Sequence, residues 1–221
     1  MHLHIKMIKC IIFDLDGTLI NTLNDLAITT NEILKEYGYK EISINKCRSF
    51  IGNGIRKLLE RSIDYVGGNI ELLDEIMEKF LIEYNNKCLR FASVYSGINE
   101  LLNLLKEKNY LLFVNTNKMH NIALKMINNM LPNIFNDIYG DSSNYPRKPD
   151  PYIVNKIKKD YHLNNDEIIY IGDSNVDVLT AHNASIKVIG CAYGFGGEKK
   201  LFAAKPDYLI HNPLEILEII N

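Results

Sequence analysis

Short runs of consecutive apolar residues alternate along most of the chain with segments in which apolar residues recur every three or four positions. The short runs predict buried strands, because a strand covered on both faces is apolar throughout. The spaced segments predict helices. The predicted strands are Cys10–Phe13, Tyr110–Val114, Ile138–Tyr139, Ile168–Ile171, Lys187–Cys191 and Tyr208–Ile210. Strands that alternate with helices predict an α/β fold, with a Rossmann-like parallel sheet as its core.

One region departs from this alternation, because residues 21–89 show helical spacing and no convincing strand. Glycines at 52 and 54 and at 67–68 divide the region into several helices. We therefore expect an inserted all-helical cap domain over 21–89 and an α/β catalytic core built from 1–20 and 90–221. The predicted helices are 22–37, 43–50, 55–66 and 70–84 in the cap, and 96–105, 120–130, 151–162, 176–184 and 213–220 in the core.

Composition limits the classes of function. The chain has 221 residues, 47% of them hydrophobic and 24% charged, and a net charge of −2. These values are typical of a globular protein and give no support for binding to nucleic acid or membranes. No apolar run approaches the roughly 20 residues of a membrane span, and the short apolar segment before Asp14 does not predict a signal peptide. We expect a cytoplasmic monomer or homodimer.

The cysteine and histidine patterns argue against a zinc site. The four cysteines are far apart and form no Cys-x-x-Cys pair, which predicts reduced thiols. His2 and His4 lie at the N-terminus, where we expect a chain end rather than a metal site.

Two carboxylates, Asp14 and Asp16, directly follow the first predicted strand. On an extended chain both point to the same side, where they repel, and a hard divalent cation such as Mg²⁺ would relieve the repulsion. One carboxylate beside such an ion can attack a phosphoryl group, while the other protonates the leaving oxygen and later activates water. Thr18 can offer a hydroxyl or a backbone N–H to phosphate. The simpler alternative for Asp-Leu-Asp-Gly is a turn after the strand.

Polar residues also follow other predicted strands, as expected for a ligand site beyond the carboxyl ends of a parallel sheet. Thr116 and Asn117 follow the second core strand and can hydrogen-bond phosphate oxygens, although they also suit a helix cap. Lys148 lies in a loop with three prolines, which can hold its ammonium rigidly. An exposed turn lysine is the alternative.

Asp173 and Asp177 follow the strand that ends at Ile171. Their spacing of four can place both on one side of a helix, and Asp173 stands where a further metal ligand is needed. Helix capping explains one of these acids, but it does not explain why the pattern recurs at a second strand end.

Together these segments resemble the haloacid dehalogenase superfamily, whose signatures are Asp-x-Asp-Gly-Thr, a Ser or Thr after the second strand, a loop Lys and Gly-Asp-x-x-x-Asp. The resemblance covers nearly the whole chain, because the family also carries a helical cap after the first motif. It implies that Asp14 is the nucleophile and Asp16 the general acid/base. It also implies that Thr116 binds the phosphoryl oxygens and that Lys148 steadies the nucleophile and the transferring charge.

The same resemblance implies Mg²⁺ as the cofactor. Asp14, the backbone carbonyl of Asp16, and Asp173 would hold the ion, with Asp177 supporting from close by. The dehalogenases of the superfamily lack the second carboxylate of the first motif, whereas this chain has it as Asp16. The resemblance therefore implies a phosphate ester as the better substrate. Thr18 and the Gly172-Asp173 pair resemble the phosphatase branch rather than the sugar phosphomutases.

Residues 50–59 resemble the cap loop of phosphoglycolate phosphatases, and residues 192–197 and 206–208 resemble their C-terminal part. The implied partner is a small phosphorylated metabolite, with 2-phosphoglycolate as the best guess. Arg56 is the candidate to meet this anion, because guanidinium pairs with carboxylate in a bidentate manner; a solvated helix charge is the alternative. The competing functions are a pyrophosphatase, a broad sugar-phosphate phosphatase, a β-phosphoglucomutase-like mutase and a non-catalytic phosphometabolite-binding protein.

Overall fold

The computed structural model describes residues 7–220. Its strands are β1 (Cys10–Phe13), β2 (Ile20–Asn21), β3 (Ser93–Val94), β4 (Leu111–Met119), β5 (Asp137–Asp141), β6 (Ile168–Gly172), β7 (Lys187–Cys191) and β8 (Tyr208–Ile210). Its α-helices are α1 (Leu23–Glu36), α2 (Ile44–Phe50), α3 (Ile55–Tyr65), α4 (Leu73–Lys87), α5 (Ile98–Glu107), α6 (His120–Met130), α7 (Tyr152–Asp160), α8 (Asn175–Asn183), α9 (Glu198–Ala203) and α10 (Ile216–Ile220). Short 3₁₀ turns cover Ile70–Leu72, Asn165–Glu167 and Pro213–Glu215.

Within residues 7–220, six strands form one sheet in the order β5-β4-β1-β6-β7-β8, and all neighbouring pairs are parallel. The predicted α/β fold is therefore confirmed. Phe13, the last residue of β1, lies opposite Val114 on one side and Ile171 on the other. This register brings the segments that follow the three central strands to one edge of the sheet.

The sheet is buried on both faces, which explains the continuous apolar runs. In β1, Ile11 and Phe13 belong to one hydrophobic cluster, whereas Cys10 and Ile12 belong to a second. Successive side chains of a strand point to opposite faces, so each face of the sheet packs against its own layer of helices. The first cluster also includes residues of the predicted cap, such as Leu26, and therefore continues from the core into the cap.

Helices α1 to α4 occupy the predicted cap region. Along the chain, β2 precedes these helices and β3 follows them. The two strands pair antiparallel, with Ile20 opposite Val94 and Asn21 opposite Ser93. The sequence analysis predicted no strand at these positions, because two-residue strands are too short to show a periodicity. The division into a cap over 21–89 and a core of 1–20 and 90–221 stays a prediction, with which the placement of α1 to α4 agrees.

Strand β4 is longer than predicted. It continues past Val114 to Met119. Its polar end pairs with β5, where Asn115 of β4 lies opposite Tyr139 of β5. Thr116 and Asn117 therefore lie in a buried strand end rather than in a helix cap. Helix α9 was also missed, since it is short. Helix α5 begins after Gly97, one residue later than the expected cap at position 96.

Two further expectations concern the whole chain. Across the described residues, no helix combines the length and the apolar character that a membrane crossing needs. All four cysteines are buried, and none forms a disulfide within 7–220. His2 and His4 lie outside the described residues.

Candidate active site

Three buried carboxylates meet at the carboxyl edge of the sheet. Asp14 follows β1, Asp173 follows β6, and Asp177 lies in the first turn of α8. Each offers an oxygen atom, and these three atoms lie within 4.8 Å of one another. The strand register therefore brings together two sequence-distant motifs that each follow a parallel strand.

Lys148 places its ammonium among these acids. Its Nζ atom lies 2.8 Å from Asp14 Oδ1 and 2.6 Å from Asp177 Oδ1. The side chain of Asn117 fastens the lysine's backbone, since its Nδ2 donates to the Lys148 carbonyl at 3.2 Å and its Oδ1 accepts from the Lys148 N–H at 3.0 Å. Asn117 thus positions Lys148, a role that the sequence analysis did not assign to it.

Asp177 uses its second oxygen within its own helix. Asp177 Oδ2 accepts hydrogen bonds from the Ser174 N–H at 3.0 Å and from the Ser174 hydroxyl at 2.6 Å. These bonds complete a capping box at the start of α8. The side chain of Asp177 is therefore fixed, and it presents its other oxygen to Lys148.

Asp173 is enclosed by two close backbone segments. Its Oδ2 accepts hydrogen bonds from the N–H groups of Phe195 at 2.5 Å and Gly196 at 3.1 Å. A Cβ atom at Gly17, whose φ is +85°, would lie 2.3 Å from Asp173 Oδ2, and a Cβ atom at Gly194 would lie 2.3 Å from Asp173 Cβ. Only glycine permits these approaches.

Burial and mutual repulsion raise the pKa values of Asp14 and Asp173. Burial raises the pKa of Asp14 to about 6, although the nearby Lys148 ammonium opposes the shift. The pKa of Asp173 is raised well above its usual range by burial and by the neighbouring Asp177 and Asp14 carboxylates. Burial disfavours the charge of Lys148, but the Asp14 and Asp177 carboxylates outweigh this effect and raise its pKa. These shifts reflect three carboxyl groups held around a single ammonium in a buried site.

The residues of this cluster fit a hard divalent cation. Asp14 Oδ1 is buried and, despite the nearby Lys148 ammonium, receives no well-directed hydrogen bond from the described residues. Carboxylate oxygens are the ligands that Mg²⁺ prefers. Asp14 and Asp173 would hold the ion, with Asp177 adjoining. The Asp16 side chain lies outside this cluster. The family resemblance implies that Asp16 would contribute its backbone carbonyl to the ion rather than its side chain.

Asp16 instead pairs with a buried lysine that the sequence analysis missed. Lys118 Nζ lies 2.9 Å from Asp16 Oδ1 and 3.0 Å from Asp16 Oδ2, and the Thr22 hydroxyl donates to Asp16 Oδ1 at 2.7 Å. Lys118 also donates to the hydroxyl of Tyr84 in α4 at 2.8 Å. The signal in the sequence was a third polar residue directly after Thr116 and Asn117.

These groups open onto a cavity of about 650 Å³ between the sheet edge and helices α2 and α3. Its lining includes the core residues Asp14, Asp16, Thr116, Asn117, Lys118, Lys148 and Asp173, and the cap residues Arg48, Gly52, Asn53, Gly54 and Arg61. Most of the site residues named from the sequence thus share one cavity.

Two predicted substrate contacts do not reach the cavity. Thr18 is buried, and its hydroxyl has no hydrogen-bond partner among the described residues. Arg56 points elsewhere and pairs with Asp74, with 2.5 Å between Nη1 and Oδ1. The arginines that line the cavity are Arg48 and Arg61.

The sequence and the fold were compared with those of known proteins. The family model of haloacid dehalogenase-like hydrolases matches residues 11–191. The chain is a haloacid dehalogenase-like hydrolase. This confirms the family resemblance that the four motifs indicated.

Relatives of this hydrolase match over nearly their whole length. A phosphoglycolate phosphatase of Pasteurella multocida is 29% identical over 220 residues, which cover 96% of this chain and 98% of the relative. A structure from Haemophilus somnus, described as a predicted phosphoglycolate phosphatase, has a TM-score of 0.91 and 29% identity and covers 97% of this chain and 98% of its own. A haloacid dehalogenase-like family hydrolase from Streptococcus pneumoniae has a TM-score of 0.86 and 28% identity, with 97% and 99% covered.

Proposed function

We propose that this hydrolase is a Mg²⁺-dependent phosphatase that acts on a small phosphomonoester through an aspartyl-phosphate at Asp14, with 2-phosphoglycolate as the best candidate substrate. The observation that carries the proposal is the buried group of Asp14, Asp173 and Asp177, with Lys148 between them, at the floor of a cavity. Mg²⁺ bound there would offset the negative charge of the acids and of the transferring phosphoryl group.

In the first half of the reaction, Asp14 attacks the phosphorus atom. Lys148 keeps the Asp14 carboxylate ionised and oriented, and the buried Thr116 hydroxyl can donate to a phosphoryl oxygen. As the phosphorus–oxygen bond to the leaving group breaks, its electron pair stays on the leaving oxygen. Asp16, in its protonated form, gives that oxygen a proton.

In the second half, Asp16 is a carboxylate and takes a proton from water. The water oxygen forms a bond to phosphorus, and the bond from phosphorus to Asp14 breaks. Its electron pair returns to the Asp14 carboxylate, and inorganic phosphate is released.

Two cavity arginines support a substrate that carries a second anionic group. Arg48 donates to the carbonyls of Phe195 and Gly194, and Arg61 donates to the Phe50 carbonyl and to Asn53. Among the described residues, neither guanidinium forms an ion pair. Since both face the cavity, their positive charge favours a ligand such as a phosphorylated hydroxy acid, in agreement with the phosphoglycolate phosphatases among the relatives.

The size of the cavity is compatible with a second candidate function. About 650 Å³ leaves room for ligands larger than 2-phosphoglycolate, which favours a broad sugar-phosphate phosphatase as the alternative. The pyrophosphatase and the non-catalytic binding protein gain no such support, and the mutase is disfavoured by the resemblance of Thr18 and the Gly172-Asp173 pair to the phosphatase branch. A cytoplasmic location and a monomeric or dimeric state stay predictions from the sequence.

The test measures phosphate release from 2-phosphoglycolate, pyrophosphate, several sugar phosphates and a nucleotide, with and without Mg²⁺. The native chain is compared with Asp14→Asn. Mg²⁺-dependent release that Asp14→Asn abolishes would support the mechanism, and the ranking of the compounds would identify the substrate class. If the native chain released no more phosphate than the variant from any compound, the hydrolase proposal would be rejected for those compounds.

A further inference from the structure

Lys118 has a bonding pattern that the reaction outlined above does not use. The side chain is buried at the polar end of β4, and in the described part of the chain its ammonium has three acceptors: Asp16 Oδ1, Asp16 Oδ2 and the Tyr84 hydroxyl oxygen. An ammonium has three N–H bonds and no acceptor site, so these contacts use its full capacity. Two of the three bonds go to one carboxylate, and this limits the orientations that Asp16 can adopt.

The third bond ties the lysine to the cap. Tyr84 is fully buried in α4, and its ring stacks on Phe80 with 5.3 Å between the ring centroids. Lys118 Nζ also lies 4.9 Å from the centroid of the Tyr84 ring. The position of the ammonium is therefore set from both sides, by β4 of the sheet and by a packed aromatic residue of the cap.

The arrangement leaves one carboxylate oxygen open to a further partner. Asp16 Oδ1 accepts bonds from both Lys118 and Thr22, whereas Oδ2 accepts only the bond from Lys118 among residues 7–220. A carboxylate oxygen has two lone pairs, so Oδ2 keeps one for a water molecule. Asp16 borders the cavity, where such a water can reach a phosphorylated Asp14.

We propose that Lys118, held by Tyr84, is a positioning residue that orients the Asp16 carboxylate for hydrolysis of the aspartyl-phosphate. Lys118 offers only donors, so its two bonds to Asp16 are complementary to the carboxylate form, which is the form that accepts a proton from water. The first half of the reaction uses protonated Asp16 and gains less from this pairing. The inference rests on the proposed function, because it assigns a role within the second half of that reaction.

The test separates the two halves with p-nitrophenyl phosphate. Its leaving group is a weak base and needs little proton donation, and kcat/KM reports the steps up to its release, whereas kcat also includes hydrolysis of the phosphoenzyme. Lys118→Met removes the donors and keeps an unbranched side chain. Tyr84→Phe removes only the hydroxyl and serves as the milder variant, since a substitution at a buried lysine can prevent folding.

Lys125→Met is the matched control. Lys125 lies in α6 and donates to the carbonyl of Asn85, the residue after Tyr84, but it does not contact Asp16. The Lys125→Met substitution therefore removes a lysine contact between α6 and the predicted cap without changing the contacts of Asp16, the proposed general base.

We expect Lys118→Met to lower kcat by about 10- to 100-fold and kcat/KM by less than about 3-fold, because general base catalysis contributes roughly 10²- to 10⁴-fold. Acid quenching and intact-mass measurement should show that the phosphoenzyme accumulates in Lys118→Met and, to a smaller extent, in Tyr84→Phe. Lys125→Met should behave like the native chain.

The inference is overturned if kcat and kcat/KM fall together in both variants without accumulation of the phosphoenzyme, or if neither variant changes kcat. A native chain that does not turn over any phosphate ester would instead reject the proposed function itself. The two failures are therefore distinguishable.

Discussion

Replacing Arg48 with methionine tests how the cavity recognises its substrate. Arg48 lies in α2, and its Nε and Nη2 atoms donate to the carbonyls of Phe195 at 2.9 Å and Gly194 at 2.6 Å. The variant removes these two bonds between cap and core. It also removes a positive charge that faces the cavity and has no carboxylate partner among the described residues.

The two losses have different magnitudes and different specificities. A hydrogen bond from a charged donor contributes about 1.5–3 kcal/mol when it is buried, and Arg48 is only partly buried, so about 1–2 kcal/mol for the pair is reasonable. This loss weakens the contact between α2 and the 194–195 backbone beside the cavity and should lower kcat/KM for every substrate by about 5- to 30-fold. Loss of the charge should cost a substrate carboxylate a further factor of about 5 to 10, and should cost an uncharged group nothing.

The assay compares 2-phosphoglycolate with ethyl phosphate, which lacks the carboxylate. The informative quantity is the ratio of their kcat/KM values, because the loss of the two Arg48 hydrogen bonds affects both substrates equally and cancels in that ratio. Arg48→Met should lower the ratio by about 5- to 10-fold. Arg56→Met is the matched control, since Arg56 pairs with Asp74 outside the cavity, and it should leave the ratio unchanged.

An unchanged ratio in Arg48→Met, together with a uniform loss of kcat/KM, would refute the reasoning about charge. Arg48 would then only connect the cap to the core. A change of equal size in Arg56→Met would also refute it, because the effect would then be independent of the cavity.

Three other predictions follow from contacts in the core. Gly17→Ala should abolish Mg²⁺-dependent activity and lower the melting temperature, because a Cβ atom would lie 2.3 Å from Asp173 Oδ2 at a φ of +85°; activity assays and calorimetry check this. Metal-free Asp14→Asn should be more stable than the native chain by about 1–3 kcal/mol at pH 8, since the folded pKa of about 6 lies above the ordinary value of 3.8. Between pH 3.8 and about 6, the folded native chain binds more protons at Asp14 than the unfolded chain does. The difference in unfolding free energy between variant and native chain, measured by urea unfolding, should therefore disappear towards pH 4. Glu167→Gln should destabilise the chain at pH 7, because the Asn164 backbone N–H and the Lys9 ammonium lower the pKa of Glu167 to about 2. The stabilisation by the Glu167 carboxylate is lost as the pH falls from about 4.5 towards 2. Thermal unfolding of both chains at several pH values would show this loss.

The sequence predicted the sheet and its acidic edge for one physical reason. Parallel strands place their carboxyl ends together, so polar residues that directly follow apolar runs converge. Asp14 and Asp173 could be identified in this way because each stands beside the end of an apolar strand, whereas Lys148 was identified by the prolines around it. Their distances could not be predicted, because the register of β1 with β4 and β6 depends on packing across the whole sheet.

The residues that were missed depend on side-chain partners rather than on position along the chain. Arg56 and Arg61 both lie in α3, but Arg56 forms an ion pair with Asp74 in α4, outside the cavity. Arg61 instead donates hydrogen bonds to the 50–53 segment beside the cavity. Lys118 resembles any polar residue at the end of a strand until Tyr84 is known to lie above it. Such pairings join residues that are distant in sequence, and a single sequence gives no direct signal for them.

Residues 194–196 form a loop that contacts both Arg48 in the predicted cap and Asp173 in the acidic cluster. The carbonyls of Gly194 and Phe195 accept the bonds from Arg48, and the N–H groups of Phe195 and Gly196 donate to Asp173. The two faces of the same few peptide groups thus hold a residue of the cap and a candidate metal ligand. A movement of the cap that breaks the Arg48 bonds would release the loop that orients Asp173. Arg48 and Asp173 are therefore connected through backbone atoms of residues 194–196, which no side-chain substitution within the loop can remove directly.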